Sequence, residues 1–217
     1  MDLLKQIIEL VLHLDKHLDQ MVNTFGPWIY VILFLIVFAE TGFVVTPFLP
    51  GDSLLFAIGA VAARPGAGLN VLVIMLLLCL AANLGDNVNY FTGRKLGVRA
   101  LNSKSRWINP RHIEKTQAFY ERYGAKTIVI ARFIPIVRTF APFVAGFGRM
   151  KYSKFMTFSV AGGVFWVFFV TLAGYFFGNI PMIRKNFGLV VIGIIVVSVM
   201  PAVIEVWREW SKRAKQQ

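Results

Sequence analysis

Residues 28–63 read WIYVILFLIVFAETGFVVTPFLPGDSLLFAIGAVAA, and the fold turns on how this stretch is interpreted. Trp28–Ala39 is apolar and uncharged, but too short to cross a bilayer core of about 30 Å, which takes about 20 residues. Glu40, Pro47, Pro50, Gly51 and Asp52 interrupt it, and a second short apolar run, Ser53–Ala63, follows. Proline removes a backbone donor and breaks helices. Irregular backbone at membrane depth survives only where it is buried in protein or lines a cavity. The segment is therefore predicted to be a hairpin that dips into the membrane and returns, broken at Pro47, Pro50 and Gly51. A second segment repeats the plan: Thr127–Ala131 is followed by Arg132, Pro135, Arg138 and Pro142 and ends at Gly148, with breaks expected at Pro135 and Pro142.

Around these lie three stretches long enough to span: Leu69–Gly93, Phe155–Gly178 and Phe187–Trp207. Only Asp86 interrupts the first, and the other two carry no charge before Glu205. Composition agrees, with 217 residues, 57% of them hydrophobic and 20 of them Phe. The length suits one domain. The net charge of +12 sits between the apolar runs, as the basic bias of cytoplasmic loops requires, so a nucleic-acid surface is the weaker explanation. The loop 94–126 is predicted to be cytoplasmic, as are the stretch Arg149–Lys154 and the tail from Arg208 to the C-terminus. The second hairpin then opens and closes inside, and the span 69–93 begins outside. Whether the N-terminus is outside or inside depends on whether Trp28–Thr46 turns back or crosses.

Before the first hairpin, Leu4, Ile7, Val11, Leu14, Leu18, Met21 and Phe25 recur at intervals of three and four. That is one stripe of an amphipathic helix over residues 1–24. It suits a helix on the membrane surface or a homodimer seam. Asp2, Glu9, Asp15 and Asp19 spoil a signal-peptide core.

Thr46-Pro47-Phe48 echoes Ala141-Pro142-Phe143, and Tyr90-Phe91-Thr92-Gly93 echoes Tyr175-Phe176-Phe177-Gly178. By the charge rule the two spans run in opposite directions. The pattern suggests an inverted repeat, residues 25–93 against 127–178, with a binding site where the broken elements meet. The expected fold is all-α and polytopic: two re-entrant hairpins, three full spans and an N-terminal amphipathic helix, residues 1–217 forming one membrane domain.

Ionisable groups near the bilayer centre cost roughly 2.5–3.5 kcal/mol on insertion scales and mark functional sites by default. The first hairpin carries the acids Glu40 and Asp52, and the second carries Arg132 and Arg138. If the hairpins meet, these charges compensate one another. A purely structural reading makes them packing salt bridges, which are weak evidence for stability. A functional reading gives the guanidinium forks a phosphate and gives the carboxyl groups protons to exchange. Asn83, Asp86, Asn87 and Tyr90 share one helix face and are expected to point into the bundle, in support or as interhelical glue. Glycines 42, 59, 85, 93, 146, 162, 163, 174 and 178 allow close helix approach.

No catalytic constellation is visible. His13, His17 and His112 lie outside the hydrophobic runs, and His13 and His17 lack a third ligand for a metal. Cys79 is alone in an apolar run. There is no G-x-S-x-G or P-loop. The expectation is a non-enzyme without metal or cofactor.

Glu40 with Pro47-Phe48-Leu49-Pro50-Gly51-Asp52, the run Gly85-Asp86-x-x-x-Tyr90-x-x-Gly93-Arg94-x-x-Gly97, and Arg132-Phe133-x-Pro135-x-x-Arg138 with Ala145-Gly146 together resemble the DedA family. This is a family of bacterial inner-membrane proteins within the wider SNARE-associated, VTT-domain group that includes lipid scramblases. The resemblance covers nearly the whole chain. It implies roles in undecaprenyl phosphate recycling or phospholipid balance, and that Glu40, Asp52, Arg132 and Arg138 are needed. The expected function is a proton-coupled flippase or scramblase for undecaprenyl phosphate or another phospholipid. Membrane lipid and protons are its partners. A small-ion antiporter and a non-transporting envelope organiser are the alternatives.

Overall fold

The computed structural model describes residues 14–43, 51–102, 126–132, 135–196 and 200. Among these the chain is all-helical, without strands. The helices are α1 Leu14–Phe25, α2 Trp28–Gly42, α3 Gly51–Ala62, α4 Val71–Asn102, α5 Lys126–Ala131, α6 Pro135–Phe147, α7 Tyr152–Phe177, α8 Pro181–Lys185 and α9 Phe187–Val196.

Two helices are long and apolar enough to cross a membrane, α4 through residues Val71–Val98 and α7. At about 1.5 Å per residue each exceeds the bilayer core. Asn70 starts α4: its side-chain oxygen accepts from the backbone N–H groups of Leu72 (2.9 Å) and Val73 (3.2 Å), an N-cap that satisfies two orphan donors. The helix then runs past Gly93, where the basic loop was expected to begin, to Asn102. Arg94 and Lys95 are therefore exposed on a helix. The apolar pattern ends near Gly93, but nothing in the local sequence stops the helix there.

Helices α2, α3 and α6 are too short to span. α2 has 15 residues, α3 has 12 and α6 has 13. α2 ends at Gly42, with Phe43 extended, and α3 begins at Gly51 with Asp52 in its first turn, where the helix dipole favours a carboxylate. The expected breaks at Pro47 and Pro50 lie outside the described residues. In the second segment the chain leaves helix at Arg132 and resumes at Pro135, a first-turn position that tolerates proline. Pro142 is a correction: it lies inside α6, which runs through it. Proline removes one internal hydrogen bond, but α6 is held on both sides of it. Thr139 is tied to α4 through Asn89, and Gly146 packs on Tyr90.

Contacts fix the directions. α2 lies alongside α4 in parallel: the Asn70 backbone N–H donates to Tyr30 Oη (2.9 Å) at one end, and Gly42 meets Gly85 at the other. α6 packs on the second half of α4, and α3 packs on the second half of α7. Each of these interfaces has reciprocal glycines. Gly146 sits on the α4 backbone at Tyr90 while Gly93 sits on α6 at Phe143; Gly59 sits on α7 at Thr171 while Gly174 sits on α3 at Phe56. A Cβ at any of the four would strike backbone. Small residues and van der Waals fit drive helix association where lipid is as apolar as the side chains.

In the described half of the N-terminal helix, Leu18 is buried and Met21 packs on the core, which includes Leu33, Leu55 and Ile58. The stripe docks on α3 of its own chain, and its N-terminal part lies outside the described residues. So does most of the third expected span beyond Val196.

Candidate functional site

The two broken elements meet at their tips. Glu40 comes from the end of α2, Asp52 from the start of α3, Arg132 from the gap after α5, and Arg138 from the first turn of α6. Glu40, Arg132 and Arg138 are at most 4% exposed, and the Asp52 side chain is 18% exposed. Arg138 binds both acids of the first segment, Glu40 through Nη2 and Asp52 Oδ1 through Nη1 at 2.7 Å. Its guanidinium lies 4.4 Å from the Trp166 ring centroid, a cation–π stack. Trp166 Nε1 in turn donates to Asp52 Oδ1 at 2.7 Å. One arginine thus ties together α2, α3, α6 and α7.

Arg132 departs from the expected pairing. Its partner is Asp86 of α4, which the sequence reading had placed with the supporting polar face. Arg132 Nη2 also donates to the Ser159 carbonyl (3.0 Å) and Ser159 Oγ (3.1 Å), and Ser159 Oγ donates to Asp86 Oδ2 at 2.5 Å. The Arg132 side chain lies across Gly162 and Gly163, where a Cβ would come within 2.8 Å of its Cδ and 3.3 Å of its Nη2. These two glycines make room for an arginine rather than for a helix. Gly51 is similar: a side chain there would collide with the Glu40 carboxylate. Its smallness lets Glu40 approach the start of α3.

The face Asn83, Asp86, Asn87 and Tyr90 divides. Only Asp86 reaches the charges. Asn83 Nδ2 donates to its own helix at the Cys79 carbonyl, 2.7 Å. Asn87 accepts from Tyr152 Oη at 2.7 Å and approaches Met156. Tyr90 is fully buried, donates to the Met150 carbonyl at 2.5 Å, and stacks on Phe155 with centroids 4.5 Å apart. Asn87 and Tyr90 therefore anchor the start of α7.

Three contributors escaped the sequence reading. Asn89 donates to the carbonyls of Thr41 (3.2 Å) and Thr139 (2.6 Å), joining the two broken elements. Its signal was an amide in an apolar run, on the face next to the one chosen. Ser159 and Trp166 carried no signal within a run of Phe, Val and Gly.

With all groups ionised, three carboxylates (Glu40, Asp52, Asp86) face two guanidinium ions and the cluster sums to −1. Among the described residues, Glu40 Oε2, Arg132 Nε, Arg132 Nη1 and Arg138 Nε make no hydrogen bond. Beside the cluster lies a cavity of about 580 Å³. Asp52, Arg132 and Trp166 line it on one side, and apolar side chains of α3, α7 and α9, such as Phe56, Phe169 and Ile194, line the rest.

Residues 49–176 match the VTT domain. The chain is 52% identical over 215 residues to Protein DedA of Escherichia coli, covering 99% of this chain and 97% of that one. It is 40% identical to an uncharacterized membrane protein of Mycobacterium tuberculosis over 88% of this chain and 84% of that one. It is 35% identical to the inner membrane protein YqjA of Escherichia coli over 72% and 71%. No solved structure matches. A domain match over more than half the chain, an end-to-end relative at 52% identity and two helices able to cross a bilayer make this chain a membrane protein of the DedA family.

Proposed function

We propose that the chain is a proton-coupled translocase for a phosphate-bearing membrane lipid, a polyprenyl phosphate or a phospholipid, and that its two broken elements are re-entrant hairpins from opposite leaflets. The observation that carries the reading is the buried cluster of three acids and two arginines beside an apolar cavity.

Geometry supports the hairpins. The start of α2 lies level with the start of α4 through the Tyr30–Asn70 bond, and its tip lies beside the start of α3. The first element thus enters and leaves at one level. The reciprocal packing of α6 on α4 and α3 on α7 supports the inverted repeat. The basic residues at the far end of α4 support a cytoplasmic face there, and the C-terminus is assigned to the same side. The name of the YqjA relative supports placement in the inner membrane.

The charge balance supplies the mechanism. A headgroup phosphate taken by an arginine releases that arginine's acid, and a buried unpaired carboxylate is unstable. Protons neutralise it. Glu40 and Asp52 relieve Arg138, and Asp86 relieves Arg132, so anion and protons move together. The lipid chains stay in the bilayer while the headgroup passes between the tips. The test is flipping of fluorescently labelled lipid in proteoliposomes under an imposed pH gradient. Flipping is expected to follow the gradient and to vanish in Arg138→Ala; equal rates for that variant and wild type would refute the mechanism. The net −1 of the cluster also suits a cation carrier. Ion flux without lipid movement in the same vesicles would select that reading.

A further inference from the structure

The two arginines are not equivalent. Arg138 has both ends of its fork engaged and leaves only Nε idle: Nη1 binds Asp52, Nη2 binds Glu40 and its face is covered by Trp166. Arg132 makes its bonds to Asp86 and Ser159 through Nη2 alone, while Nε and Nη1 have no partner among the described residues. Arg132 also lines the cavity although it is only 4% exposed. A buried guanidinium with two unpaired donors at a cavity wall suits an anion, since unpaired buried donors are costly. Asp52, the acid on the same cavity wall, is offset by Arg138 and Trp166.

The rest of the cavity is hydrocarbon in character. α9 closes it with Val190, Gly193 and Ile194, and the side of that helix turned away from them shows Ile192 at 39% exposure. At about 580 Å³ the space falls within the roughly 300–1,000 Å³ of small-molecule sites, which suits one lipid chain rather than a whole lipid. Gly193 is the thin point of the wall: a Cβ there would meet nothing within 4 Å.

Building on the translocase reading, we infer that this cavity is a docking slot for one chain of a lipid phosphomonoester, with the phosphate received by Arg132 rather than Arg138. The slot lies between α3, α7 and α9, and Gly193 keeps it open.

The probe is phosphatidic acid with a diazirine on one acyl chain, photolysed with the full-length protein in lipid nanodiscs and mapped by mass spectrometry. Label is expected on α7 and α9 at the cavity. Gly193→Trp fills the space from an open position and is expected to reduce this label by about tenfold or more. Ile192→Trp, on the outer side of α9, is expected to leave it unchanged. Diacylglycerol with the same photoreactive chain is expected to label weakly, and excess inorganic phosphate is expected not to compete. Equal labelling of Gly193→Trp and wild type overturns the slot, as does label spread evenly onto bilayer-facing Leu76 and Leu80. Diacylglycerol labelling as strongly as phosphatidic acid overturns the role of Arg132. Displacement by inorganic phosphate assigns the receptor to the free anion and overturns the lipid. Photolabelling reads occupancy without transport. Lipid in the slot with no flipping would therefore sink the translocase alone, and flipping with an empty slot would sink the slot alone.

Discussion

At Arg138 one side chain holds two carboxylates from the two ends of a broken helix pair. Removing one partner of a buried pair costs about 3–5 kcal/mol because a charge is left behind. Arg138→Ala strands both Glu40 and Asp52, so a loss at or above that range is expected in reversible unfolding from detergent. Arg138→Lys is expected to fall between, since an ammonium ion lacks the planar fork that reaches both acids. Asp86 and Asn83 give a sharper contrast. They sit on one helix face, yet Asp86→Asn strands Arg132, whereas Asn83 bonds only its own helix. Asn83→Ala is expected within about 0.5 kcal/mol of wild type, and Asp86→Asn is expected to lose several times that by the same measurement. Gly51→Ala drives a methyl group into the Glu40 carboxylate. A loss of about 1–3 kcal/mol is expected from such overpacking, with flipping lost alongside it.

Among the elements, α6 departs furthest from its local sequence. An interior proline costs about 3 kcal/mol or more in a helix, yet α6 continues through Pro142 because α4 grips both of its halves. Pro142→Ala is expected to raise thermal stability in detergent, and a fall would show that the bend at 142 is needed to fit α4. Asn89 ties α4 to the carbonyls of Thr41 and Thr139. Membrane hydrogen bonds average about 0.6 kcal/mol and reach about 1.7, so Asn89→Ala is expected to lose about 1–2 kcal/mol. Because Asn89 joins the two broken elements, flipping is expected to slow more than that loss of stability explains. Equal flipping would leave Asn89 as packing only.

For the whole molecule the decisive question is which elements cross. In a Cys79→Ser background, single cysteines at Trp28 and Arg64 are expected to react with an impermeant thiol reagent from one side of the membrane. Cysteines at Asn70 and Lys95 are expected to react from opposite sides, since α4 is long and apolar enough to span between them. Labelling of Trp28 and Arg64 from opposite sides would replace the first hairpin with a crossing. Transport should then obey the charge sum. A cluster at −1 that accepts an anion needs protons, so an inward proton gradient is expected to drive lipid with it and a collapsed gradient to leave only slow exchange.

Composition and spacing alone were enough to establish a helical membrane protein with charges buried at two interrupted segments. Hydrophobic length and the expense of an intramembrane charge are properties of the residue and the solvent, so they can be read without knowing any neighbour. Glu40, Asp52, Arg132 and Arg138 stood out for that reason. Their partners did not. Asp86 looked like one member of a polar face, Pro142 like a break, and Gly162 and Gly163 like spacers; Ser159 and Trp166 gave no sign at all. Pairing in a low-dielectric interior depends on ångström-scale approach between segments dozens of residues apart. That approach is set by which backbones can touch at Gly93, Gly146, Gly59 and Gly174, and only the folded helices decide it.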